Sequence, residues 1–184
     1  MDKKFRAFFA IDLPKSIRFE VTSLIKSLKT ANPNKNISWI KPENLHITLK
    51  FLGNVTQLQY EQFFPEIKTV ISGWGKFKIK LDKLVLFPSK RKPRVIALLP
   101  SPLEQLIALA CKIEEQVVNC NIPAETRSFK PHLTLARIKD KNICELKDVT
   151  LPPLFFEIQR VTLFRSEVSH FGSRYVALEH ILLR

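Results

Sequence analysis

One tetrapeptide pattern occurs twice in this chain of 184 residues and constrains its fold more than any other feature. His46-Ile47-Thr48-Leu49 is the first copy, and His132-Leu133-Thr134-Leu135 is the second. Each copy lies in a run typical of a β-strand, where side chains alternate between two faces. The His and Thr of a motif therefore share one face, and its two apolar residues share the other. Two such strands facing one cleft supply two imidazoles and two hydroxyls, a complete acid–base set for breaking a phosphodiester without a metal.

The segments that precede the two motifs also repeat. Pro14 lies 32 residues before His46, and Pro100 lies 32 residues before His132. Each interval is predicted to contain the end of a strand, a helix, a loop and then the motif strand. We therefore predict one domain over 1–184 with an internal repeat, about 5–87 and 94–184. A duplication of this kind predicts two similar lobes related by a pseudo-twofold axis, with both motif strands at the central cleft.

Hydrophobic periodicity and turn residues predict the individual elements. Strands are expected over 5–12, 37–40, 45–52, 77–87, 94–99, 131–138, 155–164 and 175–183. A first helix is expected after a capping Asp12, a second across 60–71, and a third after a capping box formed by Ser101 and Glu104. The predicted buried side is Ile17, Val21, Leu24, Ile25 and Leu28 in the first helix, and Leu103, Leu106, Ile107, Ala110, Ile113 and Val117 in the third. The most linker-like stretch runs from Pro88 to Pro93.

The charge of the chain is unusual. Thirty Lys and Arg residues stand against 17 Asp and Glu, which leaves a formal net charge of +13. Such a field attracts polyanions, and nucleic acid above all. A requirement for solubility would give the same balance, so the charge alone does not decide between these explanations.

Cysteine content and hydropathy indicate the compartment. Cys111, Cys120 and Cys144 are odd in number and form no CxxC pair, which favours free thiols in a reducing cytosol. The apolar stretch near the amino terminus is too short and too charged for a secretory signal. No apolar run approaches the length of a membrane span. These features predict a cytoplasmic protein without a membrane partner, and we expect a monomer.

Four stretches of the chain resemble a known family. They are residues 5–14, 39–53 (WIKPENLHITLKFLG), 129–137 (FKPHLTLAR) and 161–166. Together with the two motifs, they resemble the 2H phosphoesterases, and within them the RNA 2',3'-cyclic phosphodiesterases, historically called 2'-5' RNA ligases. The resemblance implies an α+β fold of two lobes, each a small antiparallel sheet with its helices outside, and both motifs lining the central cleft. From the residues themselves, no cofactor and no metal are expected.

The resemblance also implies a role for each polar motif residue. His46 would be the proton donor to the leaving oxygen, and His132 the base that activates water. Thr48 and Thr134 would bind the non-bridging phosphate oxygens. An imidazole pKa near 6.5 allows one ring to be neutral while the other is charged at working pH.

Arg137 is the fifth residue after His132, a position at which the resemblance implies an active-site arginine. Strict alternation along the strand instead places Arg137 on the face of Leu133 and Leu135. To reach a phosphate, Arg137 needs a β-bulge or a frayed strand end. The two interpretations remain open at this stage.

Other candidate residues have simpler explanations. Two histidines without nearby third and fourth ligands do not predict a zinc site, and we interpret His170 and His180 as structural. Trp39, Phe9 and Phe51 are candidates for stacking on a base, but aromatic residues on strands are usually core, and we expect that here. The basic run 90–92 is expected to be a solvated loop.

Two classes of function account for these features. The first is an enzyme that opens the 2',3'-cyclic phosphate of an RNA end or of a small cyclic nucleotide. Within that class, the alternative is the reverse reaction, which forms 2'-5' linkages. The second class is a non-catalytic basic RNA-binding module, which explains the charge but not the paired motifs.

Overall fold

The structure is a computed structural model that describes residues 4–34, 36–120, 122–139, 146–147, 149–169 and 172–184. Within these ranges the chain forms nine strands and three α-helices. The strands are β1 (Phe5–Asp12), β2 (Ile37–Trp39), β3 (His46–Val55), β4 (Phe77–Phe87), β5 (Val95–Ser101), β6 (Leu133–Ile138), β7 (Phe155–Ile158), β8 (Arg160–Ser169) and β9 (Gly172–Leu182). The helices are α1 (Lys15–Ala31), α2 (Gln57–Ser72) and α3 (Glu104–Asn119).

The strands follow the order β7-β4-β5-β6-β3-β1-β8-β9, with β2 attached to β6, and every paired strand is antiparallel. The two central strands, β3 and β6, are joined by a single residue pair, Ile47 and Leu133. The sheet thus consists of two antiparallel arrays that meet at the two motifs. The first array is β3-β1-β8-β9, and the second is β7-β4-β5-β6 with β2 attached. The predicted α+β fold of two lobes is confirmed, and the structure adds that one pair connects the two sheets.

The two arrays exchange strands between the halves of the sequence. β4 comes from the first half but pairs with β5 and β7, and β8 comes from the second half but pairs with β1. The Pro88–Pro93 segment joins β4 to β5 within one array, so it is the loop of a hairpin and does not separate the lobes. That the two halves arose by duplication stays a prediction.

The first helix begins differently from the prediction. Its five predicted core residues are all buried, as expected from their spacing. Asp12, however, does not cap the helix, because it belongs to β1 and its carboxylate pairs with Arg18 and Arg160. Pro14 occupies the N-cap position, and no side chain caps the helix there.

The predictions for the third helix need two corrections. Ser101 ends β5 and its hydroxyl donates to Asp82, so it is not available for a capping box with Glu104. Leu103 and Ile107 are more than a third exposed, whereas Leu109 is buried, so the apolar face is rotated from the predicted one. A capping box does occur in α2, where Thr56 and Gln59 bond reciprocally.

The first array is apolar on both of its faces. Ala7, Phe9 and Ile11 of β1 belong to the main core, and the alternate residues Phe8 and Ala10 form a separate small cluster with Phe164. This cluster matters for the site, because it lies on the face of the first array that carries His46.

The structure describes two of the three cysteines, and the lengths and hydropathy of the helices can be read from it. Cys111 and Cys120 are free thiols, as predicted, while Cys144 lies outside the described ranges. In the part of the chain that the structure describes, no helix has the length and apolar character needed to cross a membrane.

Candidate active site

The single pair between β3 and β6 brings the two motifs together. In an antiparallel pairing with Ile47 opposite Leu133, residues 46 and 48 flank residues 134 and 132. Ile47 and Leu133 are fully buried, whereas the His and Thr of each motif are only half-buried. The tertiary structure therefore places both imidazoles and both hydroxyls in one patch where the two arrays meet.

Equivalent hydrogen bonds orient the two imidazoles. The Nδ1 atom of His46 lies 2.7 Å from the carbonyl oxygen of Asn44, and Nδ1 of His132 lies 2.8 Å from the carbonyl oxygen of Lys130. Because a carbonyl oxygen only accepts, we assign the Nδ1 proton to each ring. Each Nε2 is then the atom available for proton transfer. In His46 it lies 3.0 Å from Oγ1 of Thr48, whose hydroxyl donates to the neutral ring.

The segment that supplies the Asn44 carbonyl is held from two sides. Arg18 of α1 donates to the carbonyl oxygens of Pro42 and Leu45, and its guanidinium also pairs with Asp12. The side-chain amide of Asn44 donates to the carbonyl oxygen of Ser173, at the start of β9, over 2.7 Å. These contacts fix the backbone on both sides of Asn44 and thereby the orientation of His46.

Aromatic rings surround His46. Its ring centroid lies 4.9 Å from Phe8, 5.1 Å from Tyr175 and 6.2 Å from Phe164. This apolar enclosure disfavours the charged imidazolium, and burial lowers the pKa of His46 from 6.5 to about 4. The Asn44 carbonyl and the Asp12 carboxylate oppose this lowering of the pKa, whereas the positive charges of Arg137 and Arg18 add to it.

His132 has a different environment. Its ring stacks on Phe87 with 4.3 Å between ring centroids and an interplanar angle of 23°. Phe87 is the last residue of β4, a strand contributed by the other half of the sequence. Each imidazole thus packs on aromatic residues of its own array, but His46 is enclosed by three rings.

A β-bulge decides the position of Arg137. In the pairing of β5 with β6, Ala97 faces Thr134 and Ile96 faces Ala136, so Leu135 is the extra residue. Leu135 and Ala136 are both fully buried, as expected when a bulge breaks the alternation. Arg137 lies opposite Val95 in the pairing of β6 with β5, and Val95 lies opposite Phe87 in the pairing of β5 with β4. Phe87 is the residue whose ring stacks on His132.

The bulge therefore returns Arg137 to the face of His132, and the strict-alternation interpretation is wrong. The effect of the Arg137 charge on the pKa of His46 is consistent with this placement at the junction of the arrays.

The remaining candidates are two phenylalanines, two histidines and one basic run. Phe9 is fully buried, as expected, but Phe51 is 60% exposed, so its assignment to the core is wrong. His180 is exposed and its Nδ1 lies 3.0 Å from the hydroxyl of Thr162, while His170 lies outside the described residues. The basic run 90–92 is exposed, as expected for a solvated loop.

Sequence reasoning missed the wall of the site. Phe8, Phe164, Tyr175 and Phe87 were assigned to strands but not to the cleft. The sequence signal for this wall is the consecutive pair Phe8 and Phe9. A strand that is apolar on both faces has a packing partner on each face. Among the described residues, no group of three or more His, Cys, Asp or Glu side chains is arranged to hold a metal ion.

This arrangement suits proton transfer at a phosphate ester. Two Nε2 atoms on neighbouring strands can donate and accept protons on either side of a phosphorus atom. Two threonine hydroxyls and one guanidinium on the same face can bond its anionic oxygens. The aromatic wall limits access of water to His46 and favours an electrostatic interaction with a bound anion.

Comparison with known proteins identifies chains of similar sequence and structure. The family described as LigT like Phosphoesterase matches residues 11–97 and again 98–175. The RNA 2',3'-cyclic phosphodiesterase of Methanothermobacter thermautotrophicus is 30% identical over 96% of this chain and 97% of its own length. That of Methanocaldococcus jannaschii is 31% identical over 95% and 98%. The crystal structure of E. coli LigT complexed with 3'-AMP superposes with a TM-score of 0.78 at 27% identity, covering 98% of this chain and 99% of that one.

Proposed function

Because this chain belongs to the LigT like phosphoesterase family, we propose that it hydrolyses 2',3'-cyclic phosphates at RNA ends or in nucleotides. The reaction that we propose is metal-independent acid–base catalysis by His46 and His132, and its product is a 2'-phosphomonoester. The observation that carries the proposal is the equivalent orientation of the two rings, each with Nδ1–H bonded to the carbonyl two residues earlier.

The proposed reaction begins with the attack of water on phosphorus, in line with the leaving 3' oxygen. His132 accepts the proton of the attacking water at Nε2, and His46 donates a proton from Nε2 to the leaving oxygen. A base and an acid on opposite sides of the phosphate are what an in-line displacement requires, and one motif on each array supports that arrangement. Both rings regain their starting protonation by exchange with solvent.

The acid role of His46 requires its charged form, which the apolar enclosure disfavours in the free protein. A bound phosphate diester adds a negative charge beside the ring and raises the imidazole pKa. Hydrogen bonds from Thr48, Thr134 and Arg137 to the non-bridging oxygens would stabilise the charge that develops during attack. Substrate binding and acid formation are coupled in this proposal.

The proposal is tested with purified protein, excess chelator and an oligonucleotide that ends in a 2',3'-cyclic phosphate. We expect hydrolysis, with a product that phosphorus NMR identifies as a 2'-phosphate. A 3'-phosphate product would contradict the assigned leaving group but leave the two-histidine reaction intact. Activity that disappears with chelator and returns with a divalent metal would refute the metal-independent mechanism.

We further propose that the enzyme acts as a monomer in the cytoplasm. One chain supplies both histidines, both threonines and the arginine of the site, so no second copy is needed to complete it. Light scattering at the concentration of the assay tests this part, with the mass of one chain as the expected result.

A further inference from the structure

The two histidines differ in how the backbone around them is held. His46 is the first residue of β3, whereas His132 precedes β6, which begins at Leu133. Residues 122–132, which we call the lead-in segment, form neither helix nor strand. The carbonyl oxygen that accepts from Nδ1 of His132 belongs to Lys130, within this segment. The orientation of the His132 ring therefore depends on contacts that fix the lead-in segment, and not on the strand alone.

A buried ion pair lies beside the start of this segment. Nζ of Lys50 is 2.8 Å from Oε1 and 2.6 Å from Oε2 of Glu114, and only 4% of the lysine side chain is exposed. Lys50 belongs to β3, four residues after His46, and Glu114 belongs to α3. Lys50 lies opposite the fully buried Phe9 of the main core, so it is on the core face of the first array.

Both charged groups of the pair also bind the backbone of the lead-in segment. The ammonium group donates to the carbonyl oxygen of Pro123 over 3.3 Å. The carboxylate accepts from the backbone N–H of Glu125 over 2.8 Å. Closer to the motif, Phe129 packs against the main core and Pro131 is buried. The segment is thus fixed by the ion pair near its start and by apolar packing near its end.

Stability by itself does not account for this pair. Replacing a buried ion pair by apolar residues of similar volume is often neutral or stabilising, because the charges no longer have to be removed from water. Apolar residues, however, cannot bond to the carbonyl of Pro123 or to the amide of Glu125. What the ion pair adds to the fold is the position of the lead-in segment.

We propose that Lys50 and Glu114 are positioning residues for His132. They hold the lead-in segment so that the Lys130 carbonyl orients the imidazole with Nε2 toward the phosphate. Because Lys50 lies on the strand of the first motif, the pair also sets the second imidazole relative to His46. This inference rests on the proposed hydrolysis.

The double variant Lys50→Met/Glu114→Leu separates positioning from stability. It leaves no unpaired charge in the core, so its midpoint of urea unfolding should equal or exceed that of the wild type. With adenosine 2',3'-cyclic phosphate, we expect kcat to fall by roughly 10- to 100-fold, because a misplacement of about 1 Å can cost on the order of 10²-fold. KM should change little, since the loss concerns proton transfer and not phosphate binding.

Two further variants complete the comparison. Lys50→Arg keeps the charge and the hydrogen-bond donors and should recover most of the activity. Lys112→Met/Glu115→Leu is the matched control, because it removes an ion pair from the same helix, α3, whose side chains are 44% and 59% exposed. The control should match the wild type in kcat.

NMR of the two imidazoles gives a readout that does not depend on turnover. In the double variant, the Nδ1 and Cε1-proton resonances of His132 should shift, because its bond to the Lys130 carbonyl changes. Those of His46 should stay, since its carbonyl partner is Asn44, outside the lead-in segment. If the double variant does not fold, Glu114→Gln takes its place, because it keeps the side-chain volume, weakens the bond to Lys50 and should shift His132 in the same way.

The outcomes distinguish the two proposals. A folded double variant with wild-type kcat and unchanged His132 resonances would overturn the positioning role while hydrolysis by the wild type stands. Unchanged His132 resonances in Glu114→Gln, where that variant is needed, would overturn it equally. If the wild type does not cleave adenosine 2',3'-cyclic phosphate, the proposed hydrolysis fails. The selective shift of His132 then still tests whether the ion pair orients its ring.

Discussion

The ionisation of His46 gives a direct test of the electrostatics of the cleft. Burial is the largest cause that lowers its pKa from 6.5 to about 4. This difference corresponds to about 3 kcal/mol in favour of the neutral ring. The value is an upper bound, because water that reaches the half-buried ring screens part of the interaction.

The sign of the effect on stability follows from the direction of the pKa. Between pH 6.5 and about 4 the unfolded chain binds a proton that folded His46 does not bind, so this residue makes the protein less stable as the pH falls. Urea unfolding at pH 7 and at pH 5 should show a smaller loss of stability for His46→Gln than for the wild type. An equal loss in both proteins would refute the assignment.

The pKa itself can be measured by NMR from the Cε1 proton of His46. We expect a midpoint near 4 in the free protein, a higher midpoint in Arg137→Ala, and a lower one in Asp12→Asn, which removes a negative charge. Adenosine 2'-monophosphate should raise the midpoint by placing a phosphate beside the ring. A midpoint near 6.5 in the wild type would show that the aromatic wall does not exclude water. An unchanged midpoint in Arg137→Ala would refute the proximity of Arg137.

Other predictions concern turnover. His46→Ala and His132→Ala, verified as folded by circular dichroism, should each lose roughly 10²–10⁴-fold in kcat; near-normal kcat in either would remove that histidine from the mechanism. Thr48→Val and Thr134→Val should lose less, with an upper limit of roughly 2.7–4 kcal/mol in transition-state stabilisation, and full activity in both would leave them a role in strand formation only. Arg137→Ala should raise KM for a cyclic-phosphate end, and Arg137→Lys should recover part of the loss because it keeps the charge but not the planar fork; unchanged kinetics in both would argue against phosphate contact.

The elements of this fold could be predicted from local pattern. Alternation of apolar and polar residues located the two motif strands, and helical spacing located all five core residues of α1. Helix ends were predicted less well. Asp12 and Ser101 are residue types that commonly cap helices, but Asp12 forms ion pairs and Ser101 is the last residue of strand β5. The residue type indicates whether a side chain can cap a helix. Tertiary contacts decide whether that side chain is free to do so.

The pattern of each motif is enough to predict that its His and Thr lie together, because two residues two positions apart on a strand share a face whatever the strand packs against. How these groups meet depends on long-range packing. Each array includes one strand from the other half of the sequence, β4 or β8, and the two arrays meet where Ile47 pairs with Leu133. These pairings, and the enclosure of His46 by aromatic rings, depend on contacts between residues far apart in sequence. The bulge at Leu135 reverses the side-chain alternation that sequence reasoning assumes, and through this reversal Arg137 faces the cleft. A bulge is a property of two paired strands, so the pattern of one strand does not specify it.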